Sequence, residues 1–200
     1  MRTKRFTLVE LLVVIAVILV LAGLLVPAVY GAIKKAELSK AKTAIVTLQN
    51  AIKQYESTYG KLPLSSSMTK AQLTDAQYKW LILLLQADGD HTSDLPVADL
   101  NKYNPKKIKF LEVQGNEPGK YQDPWDQNLG VAFDHDYDGK INGSDASVPG
   151  ISGTIYYSVA IWSIGPDGEF ASGNDKKNAD NVYSFNTNFD KSNNTVTIIK

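Results

Sequence analysis

The sequence predicts an α+β protein, a long N-terminal helix packed on a small antiparallel sheet. Three observations point there. Between Glu10 and Lys34 the chain carries no charge, roughly 23 residues, enough to cross a bilayer core of ~30 Å as a helix. Apolar residues then continue at three- and four-residue spacing as far as Tyr59. Further on, short alternating segments are separated by Gly, Pro, Asn and Asp, the pattern of strands and turns.

The first element divides in two. Residues 6–33 read as a membrane helix, with one carboxylate, Glu10, near its start. A charge in the hydrocarbon costs about 2.5–3.5 kcal/mol at mid-membrane and less near the interface, so an acid there calls for a partner or a route to the headgroups. Residues 34–63 read as an amphipathic continuation. Ala41, Ala44, Ile45, Leu48, Ala51, Ile52, Tyr55 and Tyr59 form its stripe, and Lys40, Lys42, Gln49 and Lys53 lie off it. Pro27 removes one backbone hydrogen bond and is expected to bend or locally melt the helix. Gly60 and Pro63 end it. At 1.5 Å per residue, Phe6 to Tyr59 would measure about 80 Å.

Residues 64–200 are expected to form one globular domain. Leu64 to Thr69 reads as a polar loop, and Thr74 to Gln86 as a second helix, opened by a Thr74/Gln77 capping box and facing inward with Trp80, Leu81, Leu84 and Leu85. Ala87 to Pro105 reads as irregular. Lys107 to Val113 alternates as a strand does. Residues 131–133, Gly153 to Gly165 (a strand or hairpin arm), Val182 to Phe185 and the tail Thr195 to Lys200 also read as strands. Trp125 reads as a core plug after a turn.

Composition bounds the chemistry. The chain has 200 residues, balanced at 21 basic and 21 acidic, with no Cys and 2 His. A Cys nucleophile, a disulfide and a thiolate zinc site are excluded. No phosphate loop, nucleophile elbow or HExxH motif is present, so no enzyme is expected. No basic stripe interleaved with aromatics points to nucleic acid.

The order Phe6-Thr7-Leu8-Val9-Glu10-Leu11-Leu12 after a short basic leader (residues 1–5) resembles the N-terminus of type IV pilins and type II secretion pseudopilins. Tyr55 to Pro63 resembles the pseudopilin "YxxxxGxYP" ending, with Leu62 for the aromatic. Asp123-Pro124-Trp125-Asp126-Gln127-Asn128 resembles the "DPWGNPY" phrase of major pseudopilins, with Asp126 for Gly. The resemblance implies a pilin-like fold. It also implies cleavage by a prepilin peptidase between Arg5 and Phe6, methylation of the new Phe6 amine, and pairing of Glu10 with the Phe6 amine of a neighbouring copy. Arg5 stands where the family has Gly. Pro27 falls where the family often bends its helix. The partners so implied are further copies of the chain, minor pseudopilins and an inner-membrane assembly platform. The location implied is the bacterial inner membrane, single-pass, with the C-terminal domain periplasmic. A type IV pilin, or an unprocessed single-span anchor carrying a calcium-binding domain, are the other readings.

Two loops carry local chemistry. Asp134, Asp136, Asp138, Gly139, Lys140 and Asp145 match a 12-residue calcium loop: acids at positions 1, 3 and 5, Gly at 6, an acid at 12, and the Lys140 carbonyl at 7. Alternate side chains of such a loop converge on one point, and hard carboxylate oxygens suit Ca²⁺. An ion-free Asp/Gly turn is the other reading of the same residues. The second loop resembles the "SxGxDG…DDIxSW" segment of major pseudopilins. The resemblance implies a calcium ion held by the Ile164 carbonyl, Asp167, Asp180 and Asn181, with Asp175 compensating for Asn181, which stands where the family has Asp. A polar loop without an ion is again the alternative.

Overall fold

The structure, a computed structural model, describes residues 7–65, 68, 72–89, 97–112, 117–143, 146–151, 153–171 and 175–199. Arg5, Phe6 and Asp145 lie outside these residues. The chain divides into two compact units, Met1–Ser39 and Lys40–Lys200.

The first helix, α1, spans Leu8–Tyr59. It starts on a reciprocal cap. The Thr7 amide donates to Glu10 Oε2 at 2.8 Å, and the Glu10 amide donates to Thr7 Oγ1 at 3.2 Å. This is the Thr-x-x-Glu capping box, which satisfies two of the helix's orphan donors. The helical assignment runs through Pro27, so the expected local melting does not occur. At the far end Gly60 adopts a left-handed φ of 68° and its amide donates to Glu56 O at 2.7 Å, closing the helix as the sequence implied.

Within the first unit, every described residue from Thr7 to Ala36 is exposed. Within the second, α1 buries Ala41, Ile45, Leu48, Ala51, Ile52 and Tyr55, the expected stripe. Ala44 and Tyr59 are half-buried at its edge.

Helix α2 (Asp75–Gln86) begins at Thr74, whose hydroxyl accepts the Gln77 amide while the Gln77 side chain accepts the Thr74 amide. It buries Tyr78 and the whole run from Trp80 to Leu85, more than one face. A short helix, α3 (Val97–Tyr103), lies in the stretch read as irregular. Pro105 lies beyond its end, and Asp99 accepts Trp80 Nε1–H at 3.3 Å.

Residues 107–112 do not form the expected strand. The amides of Phe110 and Leu111 donate to Leu85 O at 2.8 and 3.1 Å, satisfying a terminal carbonyl of α2. Phe110 meets the rings of Tyr55 and Tyr59 at 5.5 and 6.0 Å. The alternation thus serves packing on two helices and no ladder. Asn104 fixes this junction from a fully buried position. It donates to Leu84 O (3.1 Å) and Ile108 O (2.9 Å), and accepts from Ile108 N (3.1 Å) and Tyr59 Oη (2.6 Å).

The C-terminal part is antiparallel throughout. Strand β1 (Gly130–Phe133) pairs with β4 (Val159–Ser163), which pairs with β5 (Val182–Tyr183). Two hairpins accompany them: β2 (Ile141–Asn142) with β3 (Thr154–Ile155), and β6 (Thr187–Asp190) with β7 (Thr195–Ile198). The expected arm over Gly153 to Gly165 splits into β3 and β4, and β4 is buried on both faces. Gly130 sits opposite Trp162, where a Cβ would lie 2.1 Å from the indole Cε2, so only glycine leaves room for the ring.

Trp125 is half-buried and plugs no core. Asp123 anchors that turn in its place. It is buried, accepts the amides of Trp125 and Gln127 at 3.0 Å each, and accepts Ser163 Oγ–H at 2.6 Å. Asp126 adopts φ 60°, which accounts for a glycine at that place in the related motif. The long helix with small antiparallel sheets is the α+β, pilin-like architecture the sequence predicted.

Candidate assembly helix and metal-binding loops

Among the described residues, α1 is the one helix long and apolar enough to cross a membrane. Its window of greatest hydropathy is wholly unburied, unlike the core helix of a soluble domain. Glu10 has a local partner here. Its Oε2 accepts both the amide and the hydroxyl of Thr7 at 2.8 Å each. The spacing Thr7-x-x-Glu10 signals this cap in the sequence, and reading Glu10 only as a lone acid missed it.

The first acidic loop leaves β1 at Phe133. Asp134, Asp136 and Asp138 each place a carboxylate oxygen within 4.8 Å of the others, a group able to hold a metal ion. Asp134 is buried and organises the turn: Oδ1 accepts the Asp138 amide at 3.1 Å and Oδ2 the Gly139 amide at 2.9 Å. Each oxygen retains a lone pair. Asp138 Oδ1 accepts the Lys140 amide at 2.8 Å. Gly139 takes φ 80°, the sharp turn that position 6 of a calcium loop requires. Asp136 is exposed, as is His135. Sequence reasoning missed Tyr137, at φ 58°, whose hydroxyl accepts the Leu62 amide at 2.9 Å and ties this loop to the residues just past α1.

The second loop follows β4. Gly165 and Gly168 adopt φ of 76° and 65°, and the Gly168 amide donates to Gly165 O at 3.3 Å. A Cβ at Gly165 would fall 2.8 Å from Asp180 O and 3.0 Å from Asp180 Cγ, so Asp180 packs directly on this turn. Asp167 Oδ1 accepts the Glu169 amide at 2.9 Å, and Asp175 Oδ1 accepts the Lys177 amide at 3.0 Å. The acids of this loop form no converging triplet like that of the first among the described residues. Asn181 is the informative member. Its Nδ2 donates to Asn178 Oδ1 at 3.1 Å and Tyr183 Oη at 3.4 Å, yet its Oδ1 is buried without a hydrogen-bond donor. An orphaned buried acceptor is rare and costs about 1–3 kcal/mol. A hard cation would satisfy it, so this one donor suits the ion the resemblance implied, while Asp167, Asp175 and Asp180 do not converge on it.

Part of the chain is similar to known proteins. Over 73 residues the chain is 38% identical to the type II secretion system core protein G of Pectobacterium carotovorum subsp. carotovorum, covering 36% of this chain and 47% of that one. Over 55 residues it is 46% identical to the Escherichia coli K12 protein of the same description, covering 28% and 38%. For the Aeromonas hydrophila protein it is 40% over 62 residues, covering 31% and 43%. Over 55 to 73 residues, then, the chain is similar to a type II secretion core protein. It spans less than half the length of the curated relatives it matches. No family model matches it, and no solved structure does.

Asp134, Asp136 and Asp138 are brought together; Asp167, Asp175 and Asp180 are not.

Proposed function

We propose that the chain is a structural subunit of a type II secretion pseudopilus, not an enzyme, and that it assembles through α1. The carrying observation is the exposed apolar half of α1 on a chain similar to core protein G. Such a helix has two stable environments, a bilayer and the apolar centre of a helical filament built from its own copies. Moving from one to the other keeps its side chains out of water throughout. The subunit is stored in the inner membrane with residues 64–200 on the periplasmic side, and is drawn into a filament with minor pseudopilins by the membrane assembly platform. Removal of residues 1–5 by prepilin peptidase frees the Phe6 amine, which a neighbour's Glu10 then pairs. Pro27 gives the helix a place to adjust during that transfer. The filament moves folded proteins outward by growing.

The converging acids of the first loop support calcium there, and the orphaned Asn181 oxygen supports it in the second. In the first, Asp134, Asp136, Asp138, Asp145 and the Lys140 carbonyl would hold it. In the second, the Ile164 carbonyl, Asp167, Asp180 and Asn181 would, with Asp175 close in sequence. Bound ion would stiffen the outer domain.

Arg5 favours a second reading, an uncleaved single-span anchor, because a guanidinium crowds a peptidase subsite that fits Gly. Intact-mass measurement of the chain from bacterial membranes decides between them. Loss of residues 1–5 with one added methyl on Phe6 supports the subunit; retention of Met1 to Arg5 refutes it. Glu10→Gln is expected to leave membrane insertion intact and abolish sedimentable filaments.

A further inference from the structure

Basic and acidic residues balance across the chain, yet they are not mixed. Between Asp99 and Glu112 the only charges are four lysines, Lys102, Lys106, Lys107 and Lys109. The fold brings Lys61 to the same place. Lys61 Nζ and Lys102 Nζ lie 5.6 and 4.8 Å from the centroid of one ring, that of Tyr103. Lys106 Nζ lies 6.0 Å from the Tyr59 ring. Two buried groups flank these tyrosines: Tyr59 Oη donates to Asn104 Oδ1 at 2.6 Å, and Tyr55, 4.8 Å from Tyr59 by ring centroids, donates to Tyr103 O at 2.6 Å.

Two ammonium groups therefore lie over the Tyr103 ring and a third over the Tyr59 ring, and all three lysines are exposed. None of them pairs with a carboxylate within 4.0 Å among the described residues, in contrast to Lys120 with Glu117 and Lys177 with Glu169. Like charges collected in one place repel, and each ring restrains the head of its lysine. Lys107 adds backbone strain, with a left-handed φ of 49° on a residue that is not glycine. Buried Tyr103 has its ring beneath two ammonium groups, so a nucleic-acid base finds no free stacking face. The patch suits carboxylates presented by a protein surface.

We propose that Lys61, Lys102 and Lys106 dock the acidic loop of a second copy of this chain, with Asp136 at its tip. The occupant is argued from charge complementarity. Asp134, Asp136 and Asp138 are the one converging acidic group among the described residues, and Asp136 is exposed with no intramolecular hydrogen bond recorded. A divalent ion in that loop leaves it acidic, because Asp134, Asp136, Asp138 and Asp145 outweigh its charge. The inference rests on the assembling-subunit reading and adds a contact outside α1.

Because the chain has no cysteine, the contact is testable in the full chain. Copies carrying Lys102→Cys and copies carrying Asp136→Cys are co-expressed in bacteria with a type II secretion assembly apparatus and treated with a short bismaleimide. A mixed dimer is expected from the pair, and none from Lys102→Cys alone. In parallel, Lys102→Glu with Lys106→Glu should cut the sedimentable filament fraction about tenfold, equivalent to ~1.4 kcal/mol, and adding Asp136→Lys should restore it. If the unaltered chain forms filaments but no mixed dimer appears, the docking is refuted and the subunit reading stands. The same holds if the reversed-charge chain assembles normally, or is not rescued. If the unaltered chain forms no filaments, both fall.

Discussion

Calcium addition to the full chain in detergent is the perturbation that reads the loops directly. Weak extracellular-type sites have dissociation constants of about 10⁻⁴–10⁻³ M. At about 10 mM ion and a constant near 1 mM, binding to the folded form stabilises it by roughly 1.4 kcal/mol. For a domain of this size each kcal/mol raises the melting temperature by about 2–4 °C, so a rise of roughly 3–6 °C is expected. The donor sets separate the two loops. Asp136→Asn removes one charged donor from the converging group without disturbing the Asp134 turn, whose amide bonds come from Asp138 and Gly139. Its share of the calcium response should shrink. Asn181→Asp acts in the opposite sense. It replaces an amide donating to Asn178 and Tyr183 by a carboxylate in a half-buried site, which should lower the ion-free melting temperature. Calcium should then restore it by a larger margin than in the unaltered chain. Differential scanning fluorimetry with magnesium as control measures all three. An unaltered chain whose melting temperature ignores 10 mM calcium refutes the donor-set reasoning for both loops. An Asn181→Asp chain that ignores it refutes the reasoning for the second.

Gly130→Ala drives a Cβ to 2.1 Å from Cε2 and 2.4 Å from Nε1 of buried Trp162, so overpacking should cost about 3 kcal/mol, or roughly 9 °C, by thermal melting. The tyrosines predict an alkaline limit. Burial pushes the Tyr183 phenol up to about 12, only partly opposed by its Asn181 hydrogen bond, and burial also pushes Tyr55 and Tyr78 well above the ordinary value near 10. Because folded pKa values exceed unfolded ones, their contribution is complete below pH ~10 and is lost as pH rises towards 12 and beyond. Denaturant midpoints should therefore fall over that window, with phenolate absorbance appearing late and cooperatively; early, independent titration of all ten tyrosines would contradict the burial.

What the sequence disclosed follows the range of each signal. Helix α1, its stripe, the Gly60 stop and the Thr74 cap are written in neighbouring residues and were legible. The segment 107–112 was not, because alternation records which side chains are buried and not what the backbone bonds to; here Leu85 O takes the amides that a strand partner would have taken. Helix α3 was hidden between prolines that read as breakers. In the loops, DxDxDG spacing sufficed to gather Asp134, Asp136 and Asp138. The stranded Asn181 oxygen depends on where Asn178 and Tyr183 fall, which no local pattern encodes.

The Thr7 cap bears on whether Glu10 is open to the proposed pairing with a neighbour. Both bonds from Thr7 end on Oε2, and no donor to Oε1 is recorded among the described residues. A carboxylate accepts on both oxygens. The cap therefore fixes the side chain against the first turn and leaves one oxygen for a partner from outside the helix. A neighbour's amine could bind there without breaking the helix start, so the acid need not choose between folding its own chain and receiving the next. Thr7→Val separates the roles: it removes the hydroxyl from the cap but keeps the Thr7 backbone amide and the acid. If assembly needs only the charge, filaments persist; if it needs the carboxylate held in place, they weaken while membrane insertion is unchanged.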